Sequence, residues 1–450
     1  MQFVTSFLYF ALFGFLIARL PFFRNVQGLS TPWLVFFFAL KVVAGSLLIF
    51  IYTWYYEDPL TADVYKYFQD GSIMFAAIKD NPADYFRMLT GIDGSASHLA
   101  QYYDEMRFWY RPWDSPFYND NRLVIRFNAL VSLFSFGHIF VHNVFINFLS
   151  FTGLVALYKF MIRYSDKTKQ FWLAAGVFLF PGLLFWGSGI LKEGLLLWAL
   201  GWWILLLDNV VSRHKSWLIQ LFFLGAFSGF LILLKPYTFF LWLPCIIAFY
   251  ISRNYASLRS QLTYPGVIAL FAVTGFGLIY FFSSYDPLQV IANRQNDFIY
   301  FSLEQDAGSL IHTRLLTPDF MMISVEFVRG FFNALLRPHI FEAYSVVTLM
   351  AAVENTLILV MVLYMIWRLE KRTLTSSGLH WAGLWFMILL LGFVGMISPA
   401  HGGIVRYKIP AIPFMWLFFV QMTRLPHLDK HVLSGMKISK YFRKRNRVCE

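Results

Sequence analysis

Apolar residues run along this chain in long blocks separated by short polar connectors. Stretches of about 20 apolar residues, the length that crosses the hydrocarbon layer as a helix, fall at 3–20, 33–54, 139–163, 171–187, 190–207, 217–234, 237–251, 262–282, 346–368, 380–397 and 404–422. They predict an all-α, polytopic transmembrane helix bundle of about 11 spans. One further apolar stretch, 123–137 (LVIRFNALVSLFSFG), is short and carries Arg126 and Asn128. Its polarity predicts an interfacial helix on the outer leaflet, with the polar residues turned toward the headgroups. Counting it as a crossing would put the basic connector RYSDKTK on the outside. No repeat of 20–50 residues and no low-complexity tract interrupts the pattern.

Composition supports this class. Of the 450 residues, 58% are hydrophobic and only 14% charged, with a mean hydropathy of +0.57. Soluble domains run nearer a quarter charged, so a water-soluble globule is excluded. Cys245 lies inside an apolar run and Cys449 next to the C-terminus, which gives no disulfide framework. The start, MQFVTSFLYFALFGFLIARL, lacks the basic leading region of a signal peptide and is expected to be a retained span.

The net charge of +12 resembles a nucleic-acid signal until it is located. Between 424 and 447 eight Lys or Arg stand against the single acid Asp429, so this tail holds most of the excess. A basic tail after the last span implies cytoplasmic anchorage to anionic lipid, with no nucleic-acid partner. Acids sort the other way: eleven lie in 55–121 against five basic residues, and seven in 284–345 against four. Both loops are expected outside the cytoplasm. The short connectors at 163–169, 208–215, 252–259 and 368–372 are net basic, which agrees with the tail and leaves the N-terminus outside. The expected organisation is one membrane domain, 1–423, followed by a cytoplasmic tail, 424–450.

Chemistry is then sought among polar residues at the outer membrane face, because charge near hydrocarbon is costly and marks function. No Walker loop, GxGxxG, HExxH or metal-spaced His/Cys cluster is present. Asp63, in TADVYKYFQDG, stands near the start of an expected helix, where it reads either as an N-cap or as a general base. Lys192 and Glu193, in FPGLLFWGSGILKEG, open a helix at membrane depth. They read as a mutual ion pair, as a snorkelling lysine, or as a phosphate contact (Lys192) oriented by its neighbour (Glu193). Lys235, in LLKPYTF, reads as snorkelling or as a further cation of the site. Arg406, Tyr407 and Lys408, in HGGIVRYKIPAIP, oppose the positive-inside trend and invite an anionic partner, the plain alternative being a pair with an acid of a neighbouring helix. Arg337, with His339 and Glu342, precedes a span holding Glu354 and Asn355. His138 and His142 read as packing residues, and Lys41, inside the second span, is expected to pair with an acid in the bundle.

At these residues the chain resembles the polyprenol-phosphate-sugar-dependent, multi-spanning (GT-C type) glycosyltransferases, the group that includes protein mannosyltransferases and aminoarabinose transferases. The resemblance rests on Asp63-Val64-Tyr65 in the first outer loop, the 123–137 helix, Trp186-Gly187-Ser188-Gly189 with Lys192-Glu193, and Arg406-Tyr407-Lys408-Ile409-Pro410 with Pro413. The last is similar to the RYRxPxxP pattern of bacterial members. Here a further span precedes the loop acid, the paired acids of many members are missing at Asp63, and Glu57-Asp58 is the competing choice for the base. No large soluble C-terminal domain follows. The resemblance implies transfer of a sugar from a polyprenyl-phosphate carrier to a lipid, glycan or protein acceptor outside the cytoplasm. It also implies a bacterial inner-membrane location, with membrane lipids as surroundings; no cofactor is expected, and dependence on a divalent metal is left open. A polymerase or ligase of lipid-linked oligosaccharides and a lipid or glycolipid transporter (flippase) are the competing functions. The transporter would show inverted repeats and broken helices aimed at a midplane site.

Overall fold

The computed structural model describes residues 2–54, 58–110, 119–213, 216–255, 260–283, 285–304, 309–311, 314–371, 373 and 378–426. The basic tail from 427 onward and Glu57 lie outside the described residues. The fold is all-helical, and among the described residues there is no strand, only isolated bridges. In chain order the helices are α1 (Gln2–Arg19), α2 (Pro21–Arg24), α3 (Thr31–Trp54), α4 (Asp63–Asp80), α5 (Pro82–Thr90), α6 (Ala100–Tyr103), α7 (Asn121–Ser135), α8 (Ile139–Arg163), α9 (Gln170–Leu179), α10 (Pro181–Phe185), α11 (Lys192–Val211), α12 (Trp217–Leu234), α13 (Pro236–Asn254), α14 (Ser260–Phe282), α15 (Pro287–Glu304), α16 (Phe320–Leu336), α17 (Val346–Trp367), α18 (Leu379–Ile397), α19 (His401–Tyr407) and α20 (Ile412–Met422).

Every expected apolar segment is helical. Among the described residues, eight helices are long and apolar enough to cross a membrane, or up to nine if the bent pair at 167–188 is one span, so the chain has the make-up of a multi-pass membrane protein. That bent segment turns by 48° at Phe180, where Pro181 opens α10. Proline removes a backbone donor and its ring crowds the preceding turn, which breaks the helix there.

The described residues pack as two compact units, 2–234 with Pro426, and 235–425. In the first, α8 is the central element: twenty of its residues are buried, and α1, α3, α7, α9 and α11 pack on it. Gly153 of α8 and Gly201 of α11 allow this closest approach, because a Cβ on Gly201 would lie 1.9 Å from the Gly153 carbonyl oxygen. In the second unit α18 plays the same part, with α13, α16 and α20 around it. Gly330 of α16 and Gly395 of α18 meet backbone to backbone in the same way. Small residues that let helices touch replace the hydrophobic drive that water supplies to soluble bundles.

Between α3 and α8 the described residues form the helices α4 to α7 and short turns. Helix α7 ends at Phe136 and Gly137, both with positive φ, and turns into α8. The expectation that its polar residues face the headgroups fails for Asn128. That side chain is fully buried, donates to the Val124 carbonyl at 2.8 Å and meets His142 Nδ1 at 2.8 Å. A buried amide in a membrane protein needs partners, and α8 supplies one.

Candidate functional site

In the first unit, the starts of α4, α7 and α11 are tied together by side chains. Tyr67, one turn into α4 after Asp63, donates to Asn121 Oδ1 at 2.9 Å, at the first residue of α7. Asp120, immediately before it, pairs with Lys192 at the first residue of α11, Nζ to Oδ2 2.7 Å. Both partners are about nine-tenths buried. A lysine at the first position of a helix opposes the helix dipole, and Asp120, with buried Glu193 beside it, offsets that charge. Lys192 is therefore neither snorkelling nor paired only with its sequence neighbour. The sequence reading passed over Asp120. Its signal was the position of an acid directly before an amphipathic helix.

Asp63 is the first residue of α4 and half-buried. It is not the N-cap: Ala62 occupies that position, and makes no side-chain cap bond. Asp58 instead caps the short turn before α4, accepting from the Leu60 amide at 2.8 Å. Asp70, two turns into α4, was also passed over. It is fully buried and accepts the amides of Arg107 and Phe108 at 2.9 and 2.8 Å. Burial raises its carboxyl above the usual range, and the two amides with the nearby Arg107 and Lys66 charges oppose that rise. Phe108 stacks near Tyr67 and under Lys66. This knot fixes α4 on the stretch that leads into α7.

In the second unit, three stretches far apart in sequence converge. Lys235 caps the start of α13 and is only 6% exposed, so it does not snorkel; its Nζ lies 4.1 Å over the ring of Tyr407. The next residue, Lys408, is 2% exposed and reaches Asn355 Oδ1 at 2.5 Å and Glu354 Oε1 at 3.3 Å on α17. Asn355 in turn donates to the Pro338 carbonyl at 3.0 Å, so the Arg337-Pro338-His339 stretch joins the same cluster. Arg337 donates from Nε to Glu342 Oε1 at 2.7 Å, and the His339 amide to Glu342 Oε2 at 3.1 Å. Burial alone would raise the Glu342 carboxyl, but Arg337 and His339 hold it below its ordinary value. Arg406 is half-buried on α19, whose start is held by the His401 amide donating to Ser309.

The expected cations thus have unequal standing. Lys408 has its charge balanced by Glu354, which is the plain alternative for that residue. Arg337 and Lys235 lie in partly polar, partly aromatic surroundings at the same cluster. Lys41 does not pair with an acid: among the described residues no carboxylate lies within ion-pair distance, and its Nζ donates to the Gly187 carbonyl at 2.9 Å and to Ser188 Oγ at 3.1 Å. His142 is a packing residue bonded to Asn128, as its reading held.

The architecture defines an all-helical, multi-pass membrane protein, and each compact unit holds a buried ion pair among its described residues. Compared with family profiles, curated proteins and solved structures, the chain matches none.

Proposed function

We propose that the chain is a membrane glycosyltransferase that moves a sugar from a polyprenyl-phosphate carrier to an acceptor outside the cytoplasm. The observation that carries this reading is the convergence of Lys235, Tyr407, Asn355 and the Arg337-Pro338-His339 stretch. Lys235, and the Arg337 guanidinium that is shared with Glu342, put positive charge at this cluster, which suits the oxygens of a lipid phosphate. Asp63 is kept, on the sequence resemblance, as the candidate for the general base, which would take the proton of an acceptor hydroxyl as it attacks the sugar. Cations stabilise the departing lipid phosphate by meeting the charge that develops on it. A bacterial inner-membrane setting, with the outer loops outside the cytoplasm, belongs to the same reading and rests on the charge sorting.

The bend at Phe180 favours a second reading, a lipid or glycolipid transporter, since broken helices at depth often bind cargo. Against it, the unwound carbonyls at Gly187 and Ser188 already have protein donors: Lys41 and Ser150 on the first, Asn147 on the second. The deciding experiment uses purified protein in lipid vesicles with a polyprenyl-phosphate sugar. Transfer that needs Asp63 and Arg406 supports the enzyme. Movement of the lipid between leaflets with no sugar transfer supports the transporter and removes the proposal.

A further inference from the structure

The break before α11 lies at an unusual depth. Gly187 and Ser188 sit beside Lys41, the eleventh of 24 residues of α3, and beside Asn147 and Ser150, the ninth and twelfth of 25 in α8. The stretch from Trp186 to Leu191, a 3-10 turn (Trp186–Ser188) followed by non-helical residues, therefore faces the middle of two spans rather than their ends, and its carbonyls left outside an α-helix have no bulk water to satisfy them. Irregular backbone at that depth persists only where protein groups replace the lost hydrogen bonds.

Three side chains do so. Lys41 Nζ and Ser150 Oγ both donate to the Gly187 carbonyl, at 2.9 and 3.0 Å; Lys41 also reaches Ser188 Oγ, and Asn147 Nδ2 donates to the Ser188 carbonyl at 2.8 Å. The approach is close enough to exclude a side chain at Gly45, where a Cβ would fall 2.3 Å from the Ser188 oxygen. Lys41 is the α3 member of this clamp and bridges two consecutive residues. Its ammonium is 1% exposed and has no carboxylate partner among the described residues, so the carbonyl and hydroxyl dipoles of the loop are what it interacts with. Four residues after Ser188 stands Lys192, with Glu193 behind it.

We propose that Lys41 is a positioning residue: it locks the 186–191 loop at membrane depth and thereby sets where Lys192 and Glu193 stand at the head of α11. The clamp itself does not depend on the reaction; only its effect on turnover rests on the glycosyltransferase reading.

The test compares wild-type protein with Lys41→Met in lipid nanodiscs by amide hydrogen exchange and, separately, by transfer kinetics. The expected result is exchange at least tenfold faster in peptides covering 186–194, with α12 unchanged, and a donor KM that rises more than kcat falls. Unchanged exchange at 186–194, or an equal rise throughout the first unit, overturns the proposal. Should Lys41→Met fail to fold, Lys41→Gln, which keeps an N–H donor on a shorter stem, is judged by the same two outcomes. If the local exchange rises but no preparation, wild type included, transfers sugar, the clamp stands and the enzymatic reading falls.

Discussion

Asp120 and Lys192 form a nearly buried ion pair, 2.7 Å from Oδ2 to Nζ, which fastens the start of α7 to the start of α11. Neither residue is near the other in sequence, and the pair closes a loop of more than seventy residues that holds α7, α8, α9 and α10. Charges taken out of water this far are stable only together.

Breaking the pair from one side is therefore expected to cost more than removing it. Lys192→Met leaves a buried carboxylate without its partner, a loss of about 3–5 kcal/mol. The double variant Lys192→Met with Asp120→Leu is expected to recover most of that stability. Thermal unfolding in detergent measures both. If the double variant is stable yet fails to transfer sugar, Lys192 acts beyond holding α7; wild-type transfer in that variant would reduce the pair to a fastening.

Lys408 is expected to behave as a structural cation, in contrast to Arg406. Its Nζ is balanced by Glu354 and Asn355, both buried on α17, so Lys408→Met should destabilise the second unit by about 3 kcal/mol. Adding Glu354→Leu should restore stability without changing the donor concentration that gives half-maximal transfer. Arg406→Ala should instead raise that concentration by about tenfold or more, in line with a lost charged hydrogen bond of roughly 1.5–3 kcal/mol. Equal donor dependence in both variants would remove Arg406 from the phosphate contact.

Much of the helical plan was readable from residue pattern alone, because a span must bury all its backbone hydrogen bonds within itself and so announces its length. The 139–163, 217–234 and 346–367 helices lie where the apolar blocks fell. What could not be read was pairing at a distance. Lys41 looked like a cation in search of an acid, yet its partners are a carbonyl and a hydroxyl some 146 residues away, and backbone acceptors leave no mark in composition. Asn128 looked like an outward-facing polar residue until His142 was brought beneath it. Asp63 looked like a cap because it precedes a helix; the helix starts one residue earlier than that reading needs, and Ala62 takes the cap position. Lys408 and Glu354 were both noticed, but only the packing of α17 against the last span shows that they meet.

The segment between α3 and α8 should loosen at acid pH through Asp84. Its carboxyl is held below the ordinary range first by the hydrogen bond to His98, at 2.9 Å, and then by Arg87, also at 2.9 Å. A depressed carboxyl contributes stability that is present above its unfolded value, near pH 4, and is lost as pH falls through the lower folded value. Proteolysis of the 91–99 turn should therefore stay slow at neutral pH and accelerate only below about pH 4. Asp84→Asn should remove that pH dependence and leave the turn equally sensitive at both ends. A wild-type turn that is cut at the same rate from pH 7 to pH 3 would show that the His98–Asp84 contact does not hold it.

Asp63→Asn separates a base from a structural acid more sharply now that its position in α4 is known. As the first residue of the helix, Asp63 interacts with the dipole for about 0.3–1 kcal/mol, which the amide would forfeit. It cannot accept the proton of an attacking hydroxyl. The expected outcome is thermal stability within about 1 kcal/mol of wild type, unchanged donor binding, and turnover reduced by at least a hundredfold. Asp58→Asn is the matched comparison, because Asp58 caps the preceding turn through its Oδ1 bond to the Leu60 amide; the amide oxygen keeps that bond, so stability and turnover should both be kept. Turnover that survives in Asp63→Asn and disappears in Asp58→Asn would reverse the two roles and move the base to the upstream acid.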